Sequence, residues 1–342
     1  MPLADGSFRS GSLLVDNLVS STEDPGAAVH VQDTARPGVL ILRMPSSYIY
    51  LGGTLNLTAV IGNSGSIQVD LSGNNGLDWT PVASVSASGP RTIDLTPRIY
   101  RRYDYRLRLV LAGAGTGLNV LRIAHDLQHS QRALPALAQG ANTIRFNAGL
   151  QEGTVTLEGS MDPAKAAKNL VYTDFHPDVV GLQSPPLMPS GSAGRITFPV
   201  HTSGDMTRLR FGCFYRARDV ADGWDFKVSY DGGGSFVKVG RAAGPTPGSC
   251  MYVSVDVPAG KRDVLVRFEA SQVNVACIFD FRIDADYVEP SGGFSPVKIT
   301  YLWDESGQAR QDVHVAQSAA EQYSIACPGK PTLKSIILER TE

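Results

Sequence analysis

Short runs in which apolar and polar residues alternate, bounded by Gly, Pro, Asn or Asp, recur along most of this chain. In the run Tyr103–Leu111, aromatic and aliphatic residues occupy every odd position, whereas Arg106 and Arg108 lie on the opposite face. A period of two residues predicts an antiparallel strand with one buried face. Similar patterns in the first half predict strands at Leu40–Met44, Thr54–Val60, Ser66–Leu71, Leu118–Ala124, Thr143–Ala148 and Thr154–Gly159.

The second half of the chain repeats this strand pattern. Before residue 290, the predicted strands are Ile196–Val200, Met206–Ala217, Trp224–Tyr230, Phe236–Arg241, Met251–Val257, Asp263–Ala270 and Val275–Tyr287. The C-terminal region adds Val297–Trp303, Gln311–Val315, Gln322–Cys327 and Leu333–Glu339. Successive strands with few helical patterns between them predict an all-β fold built from antiparallel sandwiches.

One segment interrupts the strands and suggests a boundary between domains. Asp162 can cap a short helix, and Pro163 suits the first helical position. The stretch 175–194 is rich in Pro, Ser and Gly, which predicts an irregular connector. We therefore predict a β-sandwich over 1–161, a linker with a short helix over 162–194, a second β-sandwich over 195–290 and a short β appendage over 291–342.

The two halves resemble each other around a glycine-containing turn. The segment IQVDLSGNNGLDWTPV aligns with FKVSYDGGGSFVKV, so that Ser72 pairs with Ser229 and Asn74 with Asp231 at one constant offset. Further downstream, IDLTP aligns with VDVPA and VLRIAHDL with DFRIDADY. Solenoids and propellers repeat every ~20–50 residues, which is much shorter than the distance in sequence between Ser72 and Ser229. The pattern predicts two tandem copies of one β-unit.

Composition agrees with this architecture and excludes several functional classes. The chain of 342 residues contains 35 Gly and 21 Pro, only 19% of its residues are charged, and 42% are hydrophobic. Such a chain can build cores and needs many turns. The 31 basic and 33 acidic residues give a net charge of −2, which excludes a strongly basic nucleic-acid binder. No apolar run approaches the ~18 residues of a membrane-spanning helix.

Both copies of the turn carry the pattern S-x-[DN]-x-G-x-x-[WF]. Its positions are Ser72, Asn74, Gly76 and Trp79 in the first copy, and Ser229, Asp231, Gly233 and Phe236 in the second. The pattern resembles the Asp-box of sialidases and other secreted β-proteins. There the Asp or Asn oxygen accepts backbone N–H groups, the Gly supplies a positive φ, and the aromatic ring packs under the hairpin. The resemblance implies structural turns, and one box in each half does not fit a sialidase propeller.

The strand order, with the runs YDYRLRLVLAG, LRIAHDLQHS and GTVTLEG, resembles galactose-binding-type jelly rolls. Such modules accompany catalytic domains in secreted carbohydrate-active proteins of environmental bacteria. The resemblance implies two tandem jelly-roll-like β-sandwiches that bind a polysaccharide or a glycoprotein glycan. It also implies an extracellular or cell-surface location.

The N-terminus and the cysteines bear on that location. The segment MPLADGSFRSGS has neither the basic nor the apolar region of a signal peptide. An extracellular location therefore requires a leader that is absent from this sequence, and we expect a larger multi-module parent chain. The cysteines, Cys213, Cys250, Cys277 and Cys327, form no C-x-x-C motif. We predict buried free thiols, with a Cys213–Cys277 disulfide as the alternative.

Two polar clusters are candidates for metal binding. His125 and His129 would share one face of a helix and could then hold zinc, but the preceding run VLRIA predicts a strand. A polar rim that contacts sugar at one end of the sandwich is therefore the preferred interpretation of this cluster. Asp222 and Asp225 flank Trp224 near a turn, and they are the best local candidates for a structural calcium site. We expect no other cofactor.

Aromatic side chains are the main candidates for ligand contact, because their faces can stack on the CH groups of a sugar ring. Tyr48 and Tyr50 would share one face of the segment SYIYLGG and would form a platform there. Trp224 and Tyr230 are the candidates in the second half. The alternative for each of these residues is packing in a core.

No catalytic signature accompanies these candidates. The chain has no G-x-S-x-G elbow, no P-loop and no dinucleotide-binding fingerprint before a helix, so we assign no catalytic residue. The leading hypothesis is a non-catalytic carbohydrate-binding or adhesion module pair. The second is a structural subunit of an extracellular fibre or shell, a homo-oligomer in which Leu333–Glu339 adds to a neighbour's sheet edge. The third is a glycan-processing enzyme with two jelly rolls.

Overall fold

A computed structural model describes residues 2–46, 48–128, 136–148, 152–161, 169–289, 294 and 296–341. Among the described residues, 62% are in strands and 4% in helices, which confirms the predicted all-β sandwich class. It divides into two compact units. The first comprises Met1–Gln128 and Gly153–Val288, and the second comprises His129–Glu152 and Glu289–Glu342. No helix among the described residues is long and apolar enough to cross a bilayer.

The first sandwich, within the first unit, contains ten strands among the described residues. They are β1 (Leu14–Asp16), β2 (Leu18–Ser20), β3 (Val29–Val31), β4 (Gly38–Pro45), β5 (Tyr50–Val60), β6 (Ser66–Ser72), β7 (Thr80–Val85), β8 (Gly89–Asp94), β9 (Asp104–Ala112) and β10 (Gly117–Leu127). One sheet has the order β1-β4-β9-β6-β7, and the other has the order β2-β3-β10-β5-β8. A 3₁₀ turn at Gly6–Arg9 and the short helix α1 (Thr96–Ile99) flank the strands.

The second sandwich completes the first unit. After β11 (Gly140–Asn147), which belongs to the second unit, the chain forms β12 (Glu152–Glu158), β13 (Ser160–Met161), β14 (Leu170–Val171), β15 (Asp178–Val180), β16 (Leu182–Gln183), β17 (Met188–Pro189), β18 (Ala193–His201), β19 (Met206–Ala217), β20 (Gly223–Ser229), β21 (Val237–Ala243), β22 (Thr246–Asp256), β23 (Asp263–Ser271) and β24 (Ala276–Val288). The two main sheets have the orders β12-β24-β19-β22 and β15-β18-β23-β20-β21. The pairs β13-β14 and β16-β17 form small two-stranded sheets, and a 3₁₀ turn covers Thr173–Phe175.

The two sandwiches share one strand topology. In the first, β4, β9, β6 and β7 lie side by side in the order that β18, β23, β20 and β21 have in the second. In the opposite sheets, β10-β5-β8 has the same order as β24-β19-β22. Every residue alignment noted in the sequence therefore places its two members on corresponding strands or turns.

The second unit is formed by two separate chain segments. Strand β11 pairs antiparallel with β27 (Ala320–Cys327), and β25 (Val297–Glu305) lies between β26 (Gln308–Ala316) and β28 (Pro331–Arg340). Its core contains Ile144, Tyr301, Trp303 and Ile325. The predicted first domain, 1–161, therefore differs from the structure. An alternating pattern identifies β11 as a strand but does not reveal a partner that is distant in sequence.

The predicted linker also differs from the structure. Strand β15 pairs with β18 at the edge of the second sandwich, and Leu187 is fully buried and bridges to Ile278. This part of 162–194 is therefore a component of the sandwich rather than an irregular connector. Strands of two or three residues, such as β15, β16 and β17, give little periodic signal. The helix predicted from Asp162 lies outside the described residues.

The cysteines are unpaired, which supports the free-thiol prediction over the disulfide alternative, although Cys250 is exposed rather than buried. Cys213 pairs with Phe281, whereas Cys277 pairs with Arg216 along the same two strands. At about 3.3 Å per residue, this offset separates the two cysteines by roughly 10 Å. A disulfide needs Cα atoms within about 7 Å.

Candidate functional site

The structure places two of the four predicted aromatic ligand contacts in cores. Trp224 is fully buried, and Tyr50 is 3% exposed with its hydroxyl donating to the Met44 carbonyl at 2.9 Å. Both predictions need correction, because their rings pack inside the protein, and a Tyr48–Tyr50 surface platform does not form. Tyr48 is half-buried, and Tyr230 is half-buried against the second core. Alternation alone does not distinguish a buried aromatic face from an exposed one.

His125 belongs to an aromatic cluster rather than to a metal site. Its Nε2 lies 2.7 Å from the Tyr105 hydroxyl, and its ring centroid lies 4.6 Å from that of Tyr50. Burial lowers the pKa of His125, which favours the neutral imidazole. His129 lies outside the described residues. Within the described ranges, no group of three His, Cys, Asp or Glu side chains is arranged to hold a metal ion.

The carboxylates predicted to bind calcium have protein partners. Asp222 is fully buried, and its two oxygens accept backbone N–H groups from both flanking loops, including those of Asp219 and Val275 at 3.0 and 2.8 Å. These N–H groups lower the pKa of Asp222 although burial acts in the opposite direction. Asp225 forms ion pairs with Lys238 at 2.8 Å and Arg241 at 2.7 Å. Calcium binding here stays a prediction. Without a metal ion, Asp222 already connects the two flanking loops through these hydrogen bonds.

The two Ser-Asx-Gly turns have matching hydrogen bonds. Ser72 Oγ donates to Asn74 Oδ1 at 2.8 Å and accepts the Gly76 N–H at 2.8 Å. In the second copy, Ser229 Oγ donates to Asp231 Oδ1 at 2.7 Å and accepts the Gly233 N–H at 2.9 Å. Both glycines have positive φ, +85° and +100°. The serines and glycines of the two turns therefore make the same local contacts.

The aromatic residues that end the two turns lie under arginines. The Arg108 guanidinium lies 4.3 Å from the centre of the Trp79 ring, and that of Arg267 lies 3.5 Å from the centre of the Phe236 ring. The arginines come from the corresponding strands β9 and β23. Each ring is therefore half-buried in a cation–π contact, a geometry that the sequence pattern did not indicate.

A cavity of about 300 Å³ opens where the two sandwiches of the first unit meet. We call it the junction cavity. It is lined by Ile49, Arg101 and Tyr103 from the first sandwich and by Glu158, Gly159, Leu170, Tyr252, Phe279, Asp280, Phe281 and Arg282 from the second. Four aromatic side chains, two arginines and two carboxylates thus converge on one small volume.

The loop after α1 brings the first sandwich's residues to the junction cavity. Arg101 adopts a left-handed conformation with φ of +63°, and its backbone N–H donates to the Tyr50 carbonyl at 2.8 Å. The neighbouring Arg102 donates to the Gly73 carbonyl at 3.0 Å and to Asp174 at 3.1 Å. The loop is therefore anchored on both sides, although a non-glycine residue at this φ carries strain.

Glu158 fixes Tyr103 at the base of the junction cavity. The Tyr103 N–H lies 3.2 Å from both carboxylate oxygens, and Glu158 is only 4% exposed. Burial raises the pKa of Glu158 to about 7, while Arg102 and Arg282 act in the opposite direction. The Arg282 guanidinium also covers the Tyr103 ring at 4.1 Å.

A β-bulge and a glycine shape the other wall. The register between β19 and β24 shifts so that Phe214 pairs with Asp280 but Tyr215 pairs with Ile278, which leaves Phe279 as the extra residue. Both Phe279 and Asp280 consequently line the cavity. Across β19, a Cβ on Gly212 would lie 2.7 Å from the Tyr252 ring and would also meet the Met251 carbonyl. Glycine there leaves room for the Tyr252 ring.

Arg101 and Asp280 line the junction cavity with unused hydrogen-bonding capacity. Arg101 is exposed, and its guanidinium has no hydrogen bond or ion pair among the described residues. Asp280 Oδ1 accepts the Phe214 N–H at 3.1 Å, and within the described chain Oδ2 has no partner. The sequence reasoning missed all the cavity-lining residues. No sequence signal pointed to Arg101, and its structural counterpart, Gly260, also has a positive φ of +76°.

A second cavity of about 460 Å³ lies beside the first and shares Arg282 with it. We call it the polar cavity. It is lined by Pro45, Ser46, Thr154, Thr156, Arg210, Arg282 and Asp284. None of these side chains is aromatic, in contrast to the junction cavity.

Asp104 lies buried at the same junction. It is 5% exposed, and neither carboxylate oxygen forms a hydrogen bond of normal geometry within the described residues. Burial raises the pKa of Asp104 to about 7, although Arg43 and Arg106 oppose the shift. Arg43 in turn donates to the Tyr287 hydroxyl at 2.5 Å, which connects the two sandwiches.

Comparisons with known proteins identify no family. No protein-family model matches the chain. No curated protein matches it either. Among solved structures, a CBM35 module from Cellvibrio japonicus is 12% identical with a TM-score of 0.24, over 38% of this chain and 92% of that one.

Two further structures have similar scores. The C-terminal CBM6 of a marine laminarinase from Zobellia galactanivorans is 14% identical with a TM-score of 0.21, over 42% of this chain and 98% of that one. Tandem CBM51 modules of a family 98 glycoside hydrolase from Streptococcus pneumoniae are 11% identical with a TM-score of 0.23, over 83% of this chain and 91% of that one. At these TM-scores, the likenesses carry no inference about this chain.

Proposed function

We propose that this protein binds a carbohydrate at the junction cavity and does so without catalysis. The observation that carries the proposal is the convergence of Tyr103, Tyr252 and Phe279 with the unpaired groups of Arg101 and Asp280. Aromatic faces suit the CH faces of a sugar ring. An arginine donates to hydroxyl oxygens and a carboxylate accepts from hydroxyl groups, so the two together satisfy both halves of a polyol's hydrogen bonding.

The size and charge of the cavity favour a neutral sugar over other small ligands. A volume of about 300 Å³ lies at the lower end of the range for small-molecule sites, roughly 300–1,000 Å³. The Asp280 carboxylate would repel an anionic ligand, and Arg101 and Arg282 would repel a cationic one. A polar, uncharged ring with one apolar face avoids both repulsions.

The wider setting belongs to the same proposal. We further propose that the two sandwiches are copies of one ancestral unit and that their turns are Asp-boxes. We also propose an extracellular or cell-surface role within a larger parent chain. The shared topology and the matching turn bonds support the duplication. A polysaccharide or a glycoprotein glycan is the expected partner.

A glycan array followed by calorimetry tests the proposal. We expect at least one glycan to bind, and Tyr252→Ala to weaken that binding about tenfold by removing one stacking face. Tyr252→Phe keeps the ring and should keep most of the affinity. Tyr100→Ala removes another exposed tyrosine, 43% accessible and outside the cavity lining, and serves as the matched control.

Two results would contradict the proposal. Unchanged affinity in Tyr252→Ala would place the site elsewhere, and the absence of any bound glycan would remove the function. Concentration-dependent polymers without glycan binding would instead favour the structural-subunit hypothesis.

A further inference from the structure

We infer that the carbohydrate is a chain of at least two units, with one unit in the junction cavity and the next in the polar cavity beyond Arg282. The inference rests on the proposed function, because it assigns a second subsite to the same ligand. The juxtaposition of an aromatic cavity and a polar cavity on either side of one arginine carries it.

Arg282 is held as a shared wall between the two spaces. Its guanidinium lies over the Tyr103 ring on the side of the junction cavity. Its Nε lies 3.0 and 2.9 Å from the two carboxylate oxygens of Asp284, which lines the polar cavity. A side chain fixed from both sides can contact two consecutive ligand units without moving.

Strand geometry gives the spacing of the two subsites. Along β12, Glu158 lines the junction cavity while Thr156 and Thr154 line the polar cavity. Along β24, Asp284 follows Arg282 on the same face. Two residues along a strand advance about 6.6 Å, a step comparable to the length of one sugar ring. Successive units of a chain would therefore fall into successive cavities.

The chemistry of the polar cavity suits a hydroxyl-bearing unit that is not stacked. Ser46, Thr154 and Thr156 provide hydroxyl groups, and Asp284 provides an acceptor. Thr156 Oγ1 already donates to Asp284 at 2.6 Å, so its lone pairs remain available to accept a bond. A ligand confined to the junction cavity would not contact these polar groups.

The test compares chain lengths. The probes are the strongest oligosaccharide from the array, its terminal disaccharide and its terminal monosaccharide, each titrated by calorimetry against the full chain. We expect the disaccharide to bind at least tenfold more tightly than the monosaccharide. Thr156→Val keeps the side-chain shape but removes the hydroxyl, and it should reduce the affinity for the disaccharide about threefold to tenfold. The affinity for the monosaccharide should stay within twofold of the wild type.

Thr92→Val is the matched control, since Thr92 is exposed on β8 and lines neither cavity. Ser46→Ala is a second variant at the polar cavity and should repeat the Thr156→Val result. Equal affinities for the monosaccharide and the disaccharide would overturn the second subsite while leaving the proposed function intact. So would equal losses for both probes in Thr156→Val. An array without any bound glycan would overturn the proposed function itself.

Discussion

The two Ser-Asx-Gly turns have the same internal bonds in opposite surroundings. Asn74 is 4% exposed, and its amide donates to Asp78 at 2.8 Å and to the Asp174 carbonyl of the second sandwich. Asp231 is exposed, and its second oxygen accepts the Ser235 hydroxyl at 2.7 Å. Local bonding therefore sets the shape of each turn. The surroundings decide whether the Asx residue must also donate a hydrogen bond, which explains Asn in one copy and Asp in the other.

Two more pairs of corresponding residues show the same contrast. Asp104 and Asp263 begin β9 and β23, but Asp104 is buried at the junction whereas Asp263 is exposed beside His201 at 2.8 Å. Arg101 and Gly260 stand three residues before those strands, and both have positive φ. Asp104 and Arg101 of the first sandwich thus lie at the junction with the second sandwich, whereas the corresponding Asp263 and Gly260 are exposed.

The largest expected effect is a pH dependence that arises on the buried side of this comparison. Burial raises the pKa values of Asp104 and Glu158 to about 7, so the folded protein holds protons that the unfolded chain releases near pH 4. The stability that these two carboxyls contribute is then fully present below about pH 4 and is lost as the pH rises through 7. We expect the free energy of unfolding to fall by several kcal/mol between pH 4 and pH 8, because each unit of pKa shift corresponds to about 1.4 kcal/mol.

Urea unfolding of matched variants measures this effect. Asp104→Asn imitates the protonated acid and should remove roughly half of the pH dependence, since Glu158 remains. Asp263→Asn, at the exposed corresponding position, is the matched control and should leave most of the dependence in place. A wild-type curve that is flat from pH 5 to pH 8 would show that both buried carboxyls are ionised at neutral pH.

The next effect concerns the donor requirement of the buried turn. Asn74→Asp removes the amide hydrogens and places a second carboxylate beside Asp78, so we expect a loss of about 3 kcal/mol in unfolding free energy. Asp231→Asn keeps the acceptor oxygen in the exposed turn and should cost less than about 1 kcal/mol. Thermal and urea unfolding at pH 7 compare the two variants. Equal losses would mean that burial at the junction is not what separates the copies.

The smallest effect concerns the left-handed position. Arg101→Gly should raise stability by about 1 kcal/mol, because glycine adopts φ of +63° without the cost to a side chain. The same variant should weaken glycan binding by removing the free guanidinium. Gly260→Ala should lower stability by about 1 kcal/mol through the backbone alone, since its Cβ meets nothing within 4 Å. A destabilised Arg101→Gly would show that the arginine makes a contact that outweighs its strain.

Much of the fold follows from the sequence pattern. Strand β19 has the bounds predicted from Met206–Ala217, and the odd positions from Tyr105 to Leu111 are buried as their alternation indicates. The short edge strands and the partner of β11 were missed. Three residues give too little periodicity, and alternation does not encode which distant strand will pair.

The candidate site was much harder to predict. Tyr50 and Trp224 looked like exposed aromatics because a single sequence shows which residues share a face but not which face is covered. Tyr103, Tyr252 and Phe279 come from separate strands and loops of two sandwiches, and their convergence depends on packing between sheets. The correspondence of Arg101 with Gly260, both at positive φ, becomes visible only once the strands of the two sandwiches are matched in the structure.

The pairing of β11 with β27 has a practical consequence for dissecting the protein. Their register runs from Gly140 opposite Cys327 to Asn147 opposite Ala320, so removing the chain after residue 288 would strip β11 of its only paired neighbour among the described strands. The truncated product would keep Ile144 and Phe146 on an open edge, a template for aggregation. Clean excision of the two sandwiches therefore requires a short graft in place of residues 129–152 as well as the C-terminal cut.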